Sequence, residues 1–332
     1  MQQAAKPLAG LSLDLDNRWS YMKTHGDPGW EAFPSYLDLL VPRVLGILDE
    51  FGLKITFFIV GQDAALEKNR NALRSIAAAG HEVGNHSFHH EQWLHEYSRR
   101  DLEDEIASAE EHIERATGQR PVGFRGPGFS LSLPMLEVLA QRGYLYDAST
   151  FPTFIGPLAR AYYFMGARLT GAERRRRAAL FGGFADVRRP VAPYRWALAS
   201  GTLLEIPVTT VPFLRLPFHL SYILYLASFS TTLAFAYLRT ALFLCRATST
   251  PPSFLLHPLD FLGCDDGVGL EFFPAMRLEH RRKCDLARRA VALLCSEYEP
   301  AGLRRLAQAI PKGRKLASRV PSFPRRQGER PA

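Results

Sequence analysis

The sequence predicts an α/β protein built as a distorted TIM-like (β/α)7 barrel, with an apolar helical insertion before the last strand. Three observations predict it. Short apolar runs alternate with amphipathic stretches through the first two thirds of the chain, the pattern that builds parallel sheets and α/β barrels. About seven strand and helix pairs can be marked, which suits a barrel better than a flat sheet. Acidic residues and histidines fall just past several apolar runs, where α/β barrels carry their active sites.

Taken in order, residues 11–15 read as the first strand and 36–51 as the following helix, with Leu39, Leu40, Leu45 and Leu48 on its apolar face and Gly52 as its stop. The run KITFFIV at 54–60 is β-branched and aromatic and suits a strand buried on both sides. A helix is expected over 64–79, a strand over 81–85, and helices over 101–116 and 133–141. Strands over 144–148, 203–208 and 254–256 and a helix over 281–295 continue the alternation.

One region breaks the rhythm. Residues 150–203 show no clear periodicity, and 216–238 run 23 residues without Lys, Arg, Asp or Glu. Hydropathy alone marks that run as a membrane-span candidate. A single crossing would separate Asp14 from His257, which are expected to share one site. Three readings stay open: a membrane-surface or lipid-tail-binding insertion with Arg215 and Arg239 toward anionic headgroups, a buried core helix, and a spanning hairpin. The expected organisation is one barrel over 1–310 with an insertion at about 151–250, then a basic disordered tail over 311–332.

Composition permits an enzyme without naming one: hydrophobic residues make up 47% and charged residues 22% of 332 residues. The net charge of +8 comes largely from surface-type Arg and Lys runs, and no nucleic-acid motif accompanies them, so no nucleic-acid partner is expected. Cys245, Cys264, Cys284 and Cys295 form no C-x-x-C pair and read as reduced core thiols. The start, MQQAAKPLAGLSLDLD, lacks the features of a signal peptide, so a cytoplasmic location is expected, with peripheral contact at the inner membrane face.

The chemistry concentrates in two short elements. Asp14 and Asp16 lie two apart at the end of the first strand, so alternate residues send both carboxylates toward one pocket. His86 and His90 lie four apart just past another strand, where a helical or turning backbone aims both imidazoles at one ion. One carboxylate would complete a three-ligand set with positions left open.

The ordered set SLDLDN, HSFHH, FRGPGFS, YDAST and LLHP, with KITFFIVGQ before the histidines, resembles the polysaccharide deacetylase family, also called NodB-homology or carbohydrate esterase family 4. The likeness runs from about residue 11 to 258, interrupted over about 156–199. It implies that Asp16, His86 and His90 bind a divalent metal, usually zinc in that family. It further implies Asp14 as general base, Arg125 as the residue that holds that aspartate ionised and oriented, and His257 as the acid that protonates the leaving amine. A backbone N–H near Gly128 would assist the oxyanion. Asp147 in YDAST is the candidate for orienting His257.

Departures qualify what the resemblance implies. Leu15 separates the aspartates, giving a D-x-D form found in a branch that includes cytoplasmic members and relatives acting on allantoin-like amides. Arg125-Gly126-Pro127-Gly128-Phe129 displaces the expected aromatic by one position. Asn17 stands where a glycine is usual and is a candidate for touching substrate. Trp19, Tyr21 and Trp30 are candidates for a sugar-stacking wall, Asp260 is a second candidate to orient His257, and His25, His95 and His219 read as structural or exposed. The expected function is hydrolytic removal of acetyl or formyl from an N-acylated aminosugar, polyprenyl-linked or otherwise in glycan biosynthesis. The alternatives are an allantoinase-like amidohydrolase and a catalytically silent member that binds glycan or membrane.

Overall fold

Strand β1 (Leu8–Leu15) organises the architecture of the protein, a computed structural model that describes residues 5–154, 186–313 and 316–323. All of its residues after Leu8 are buried, polar Ser12 and Asp14 included, as befits a strand covered on both faces. On one side β1 pairs in parallel with β2 (Thr56–Ile59), with Asp14 opposite Phe58. The order continues in parallel through β3 (Glu82–Asn85), β4 (Gly123–Phe124) and β5 (Tyr146–Asp147).

Beyond β5 the chain returns as an antiparallel pair, β6 (Tyr194–Leu198) and β7 (Gly201–Glu205), of which β7 lies parallel to β5. On the far side of β1 lies β8 (Ser253–Leu256), also parallel. Past Glu205 the chain bridges the remaining gap: Ile206 N–H donates to Asp147 O, Val208 N–H to Thr150 O, and Thr209 N–H to Ser253 O at 3.1 Å. Ser253 N–H in turn donates to the Thr209 hydroxyl at 2.7 Å. This seam closes the mostly parallel sheet into a distorted barrel. The short strand β9 (Glu299–Ala301) pairs with β1 at its base.

The helices form the outer layer and follow the expected amphipathic stretches: α2 (Leu37–Glu50), α5 (Arg99–Thr117), α6 (Leu133–Gln141) and α9 (His280–Glu297). The helix expected over 64–79 is instead two, α3 (Gly61–Ala65) and α4 (Arg70–Ala78). Leu66 turns extended between them and the buried Asn69 side chain donates to Asp63, so local polar bonds break the helix. An unexpected helix, α1 (Arg18–His25), follows the aspartates, capped by Asn17 at its start and by left-handed Gly26 at its end.

The apolar run 216–238 is not one helix. It forms α7 (Leu220–Ala227) and the first half of α8 (Thr231–Ala247), because Ser230 turns extended and its hydroxyl accepts from Leu233 N–H to start the second helix. Among the described residues no helix is long and apolar enough to cross a membrane, which removes the spanning-hairpin reading. Leu220, Ile223, Leu224, Ala234 and Leu238 are buried in the main core, while Phe229 and Leu233 remain 73% and 58% exposed.

The tail also departs from expectation. Helix α10 (Leu303–Gly313) extends beyond residue 310, and β10 (Ser318–Arg319) pairs in parallel with β6. Phe323 then lies 6.3 Å from the Trp196 ring, so an aromatic anchor holds part of the segment expected to be disordered. Most of the aperiodic stretch 150–203 and the last residues of the tail lie outside the described residues. Among the four free cysteines Cys264 is exposed rather than in the core.

Candidate active site

The HSFHH turn aims its imidazoles without a helix. Ser87 and His90 both take left-handed backbone conformations, with φ of 62° and 54°, which non-glycine residues adopt only when their surroundings enforce it. Here the enforcement is visible. Buried Glu105 on α5 accepts from the N–H groups of Phe88 and His89 and from the His89 ring, and the Asn85 side chain accepts from Ser87 N–H. Neither Glu105 nor Asn85 was legible as a site residue, because each acts on backbone that only the fold brings near.

That turn delivers His86 and His90 to Asp16. Asp16 Oδ1 lies 2.9 Å from His90 Nε2 and 3.2 Å from His86 Nε2. Ligands held at about 2.0–2.2 Å from one ion stand roughly 3 Å from each other, so two imidazole nitrogens and a carboxylate oxygen at this spacing fit a divalent metal. The Nδ1 of His86 is turned to the carbonyl of Arg125 at 2.6 Å, which leaves Nε2 toward Asp16. Burial opposes the charge on Asp16, yet His90 and His86 hold its carboxyl well below the ordinary carboxylate range.

Asp14 points into the same space from one pleat earlier. Fully buried Arg125, on the segment after β4, donates from Nη1 to Asp14 Oδ1 at 2.6 Å and to Ser12 Oγ at 2.9 Å. Its Nε donates to Ala148 O at 3.0 Å, and its guanidinium lies 4.3 Å from the Phe58 ring centre. The pairing leaves Asp14 few rotamers to occupy.

The third imidazole arrives from the end of β8. His257 N–H donates to Asp260 Oδ2 at 2.8 Å, and its ring Nδ1 lies 3.1 Å from Ser221 Oγ on α7. Asp147 is not its partner. That carboxylate accepts from the Ser149 hydroxyl at 2.6 Å and shares a buried hydrogen bond with Glu205, its register partner across β5 and β7. Burial, with Asp147 close by, pushes the Glu205 carboxyl well above its usual range, and Trp196 and Thr150 donate to it. The pair belongs to the strand ends rather than to His257.

Asp14, Asp16, His86, His90 and His257 line one cavity of about 460 Å³. Its other walls are largely apolar, with Tyr21, Phe129, Tyr222, Tyr225 and Phe273 among them. Phe129 reaches it from a left-handed position, φ 61°, so the displaced aromatic still faces the site. His219, read as structural or exposed, also lines the cavity with its ring 5.3 Å from that of His257, and burial holds it neutral by depressing its pKa well below the usual imidazole value.

Other expectations shift. Asn17 is buried and structural: its side chain accepts from Arg18 and Tyr36 N–H and donates to Asp63 and Ser35. Of the three aromatics after the aspartates only Tyr21 lines the cavity. Trp19 is buried, donates to Asp63 and sits edge-on to His90 at 6.3 Å, while Trp30 packs with Phe33 and Lys23. His25 stacks on Phe272 and His95 bonds Ser130.

Residues 28–146 match the family model for polysaccharide deacetylase, a segment that contains His86, His90 and Arg125. Over that segment the chain is similar to the polysaccharide deacetylase family. It is 33% identical over 127 residues to a peptidoglycan deacetylase-like protein of Gibberella zeae, covering 37% of this chain and 35% of that one. It is 31% identical over 109 residues to a peptidoglycan deacetylase of Helicobacter pylori, covering 33% and 36%. The match thus spans about a third of the length of these relatives. A Mycobacterium smegmatis protein assigned as a polysaccharide deacetylase shares the fold over 98% of this chain and 97% of its own, with a TM-score of 0.63 at 22% identity.

Proposed function

We propose that this chain hydrolyses the amide of an N-acylated aminosugar, releasing acetate or formate and a free amine, with a divalent metal held by Asp16, His86 and His90. The convergence of those three ligands with Asp14 and His257 on one cavity carries the proposal. The metal, zinc by family resemblance, would supply Lewis acidity to the acyl carbonyl and to water. Asp14, held by Arg125, takes the proton from the attacking water. His257, on the same cavity, returns a proton to the departing nitrogen. A backbone N–H near Gly128, a residue of the cavity wall, would assist the developing oxyanion, as the family resemblance implies.

The aminosugar substrate is proposed to be lipid-linked. Aromatic walls can stack on a sugar ring, but the apolar surface does not stop at the cavity: Tyr225 of its lining packs edge-on against Phe229 at 5.2 Å, and Phe229 and Leu233 are exposed. This track supports a substrate with a hydrocarbon tail over a small amide, and carries the expectation of peripheral contact with an anionic membrane at its inner face. The deciding experiment measures free amine together with acetate or formate from polyprenyl-linked, nucleotide-linked and oligomeric N-acylated sugars. Turnover of the polyprenyl-linked compound is expected to exceed the others; turnover confined to soluble oligomers removes the lipid-linked reading, and none on any of them removes the deacylase reading.

A further inference from the structure

Three groups bear on His257 from three elements. On its own turn Asp260 is buried and accepts from the His257 backbone N–H, with the Ser221 hydroxyl near enough to favour its charged form. From α7, Ser221 Oγ reaches the imidazole Nδ1 at 3.1 Å, and His219 sits beside the ring. From α9, buried Lys283 donates to the carbonyls of Leu259 and Leu262, which places its ammonium behind Asp260. The Asp260 carboxylate therefore does not meet the imidazole directly. A hydroxyl stands between them.

We infer that Ser221 is the positioning residue of His257: it accepts from Nδ1–H and donates to Asp260, so that Nε2 is the nitrogen presented to the cavity. The inference rests on the reading of His257 as proton donor, and it places half of the acid machinery on α7, beyond the family segment 28–146. A hydroxyl can relay in this way because it donates one hydrogen bond while accepting another. Burial pushes the Asp260 carboxyl up, while His257, Ser221 and Lys283 favour its charged form, which is the form that accepts from the hydroxyl. With Ser221 on Nδ1, the neutral ring is held as the Nδ1–H tautomer, and a proton gained at Nε2 lies where a leaving amine can take it.

The test is nitrogen-15 NMR of histidine-labelled full-length protein, with the His257 signals assigned by their loss in His257→Gln. The wild-type ring is expected to be predominantly the Nδ1–H tautomer; Ser221→Ala should shift it toward Nε2–H, Asp260→Asn should shift it the same way, and Ser221→Thr should restore it. Asparagine can still accept from the His257 backbone N–H, so the turn survives that change. Unchanged tautomer populations in Ser221→Ala overturn the inference. Acetate release from an N-acetylated chito-oligosaccharide separates the two readings. About a tenfold fall in kcat at nearly constant KM in Ser221→Ala supports positioning, whereas wild-type kcat in His257→Gln removes the acid role while the tautomer result still judges Ser221.

Discussion

Arg125 and His86 are joined twice over: the Arg125 carbonyl accepts from His86 Nδ1 at 2.6 Å, while the Arg125 guanidinium holds Asp14 beside His86. One residue thus steadies His86 through its backbone and Asp14 through its side chain. Arg125→Ala keeps the first function and deletes the second. Leaving Asp14 buried without its partner should destabilise the fold by about 3–5 kcal/mol. Denaturant unfolding checks this, and a loss below about 1 kcal/mol would mean the pair is compensated elsewhere.

Metal content separates ligand from base. Asp16→Ala and His90→Ala are each expected to abolish bound divalent metal by elemental analysis, and unchanged stoichiometry would refute the assignment. Asp14→Asn should keep the metal while turnover falls roughly 10²–10⁴-fold, the usual range for losing a general base. An active Asp14→Asn enzyme removes that role.

His81 gives the fold an acid limit. Its Nδ1 accepts from Ile55 N–H at 3.1 Å, and burial, with Lys54 nearby, depresses its pKa to about 4. Its folded value thus lies below an unfolded value near 6.5, so its contribution is fully present above 6.5 and is lost as pH falls from there through about 4. The thermal midpoint should decline across that window. His81→Gln, whose side-chain oxygen can accept the same N–H, should decline less steeply, and parallel curves would show that His81 is not responsible.

Exposed Phe229 and Leu233 carry the membrane expectation. Wild-type protein should sediment with anionic phosphatidylglycerol liposomes, and Phe229→Asp with Leu233→Asp should remain in the supernatant. Both positions are exposed, so the double variant should fold with an unchanged thermal midpoint. Equal sedimentation of the two proteins would reassign these side chains to ordinary surface.

What was legible in the sequence divides along the range of the interactions. The strand carrying Asp14 and Asp16, the HSFHH turn and FRGPGF were readable because residue spacing and strand-end position are local facts. The α3–α4 break was not, since it depends on Asn69 meeting Asp63. The surroundings of His257 were legible only in part: Asp260 was marked beside it and does accept from its backbone N–H, whereas the YDAST carboxylate is engaged by Glu205 and Ser221 lay inside a run read for its apolar character. Hydropathy also could not divide 216–238, because the divider is the cap formed by Ser230 and not a loss of apolar character.

The join between Thr209 and Ser253 differs in strength from the wall beside it. Residues 10–13 and 253–256 are registered pair by pair, whereas an amide and a hydroxyl stitch the seam. A cylinder fastened so lightly along one line yields there first when it breathes, so deuterium should enter that edge ahead of β1.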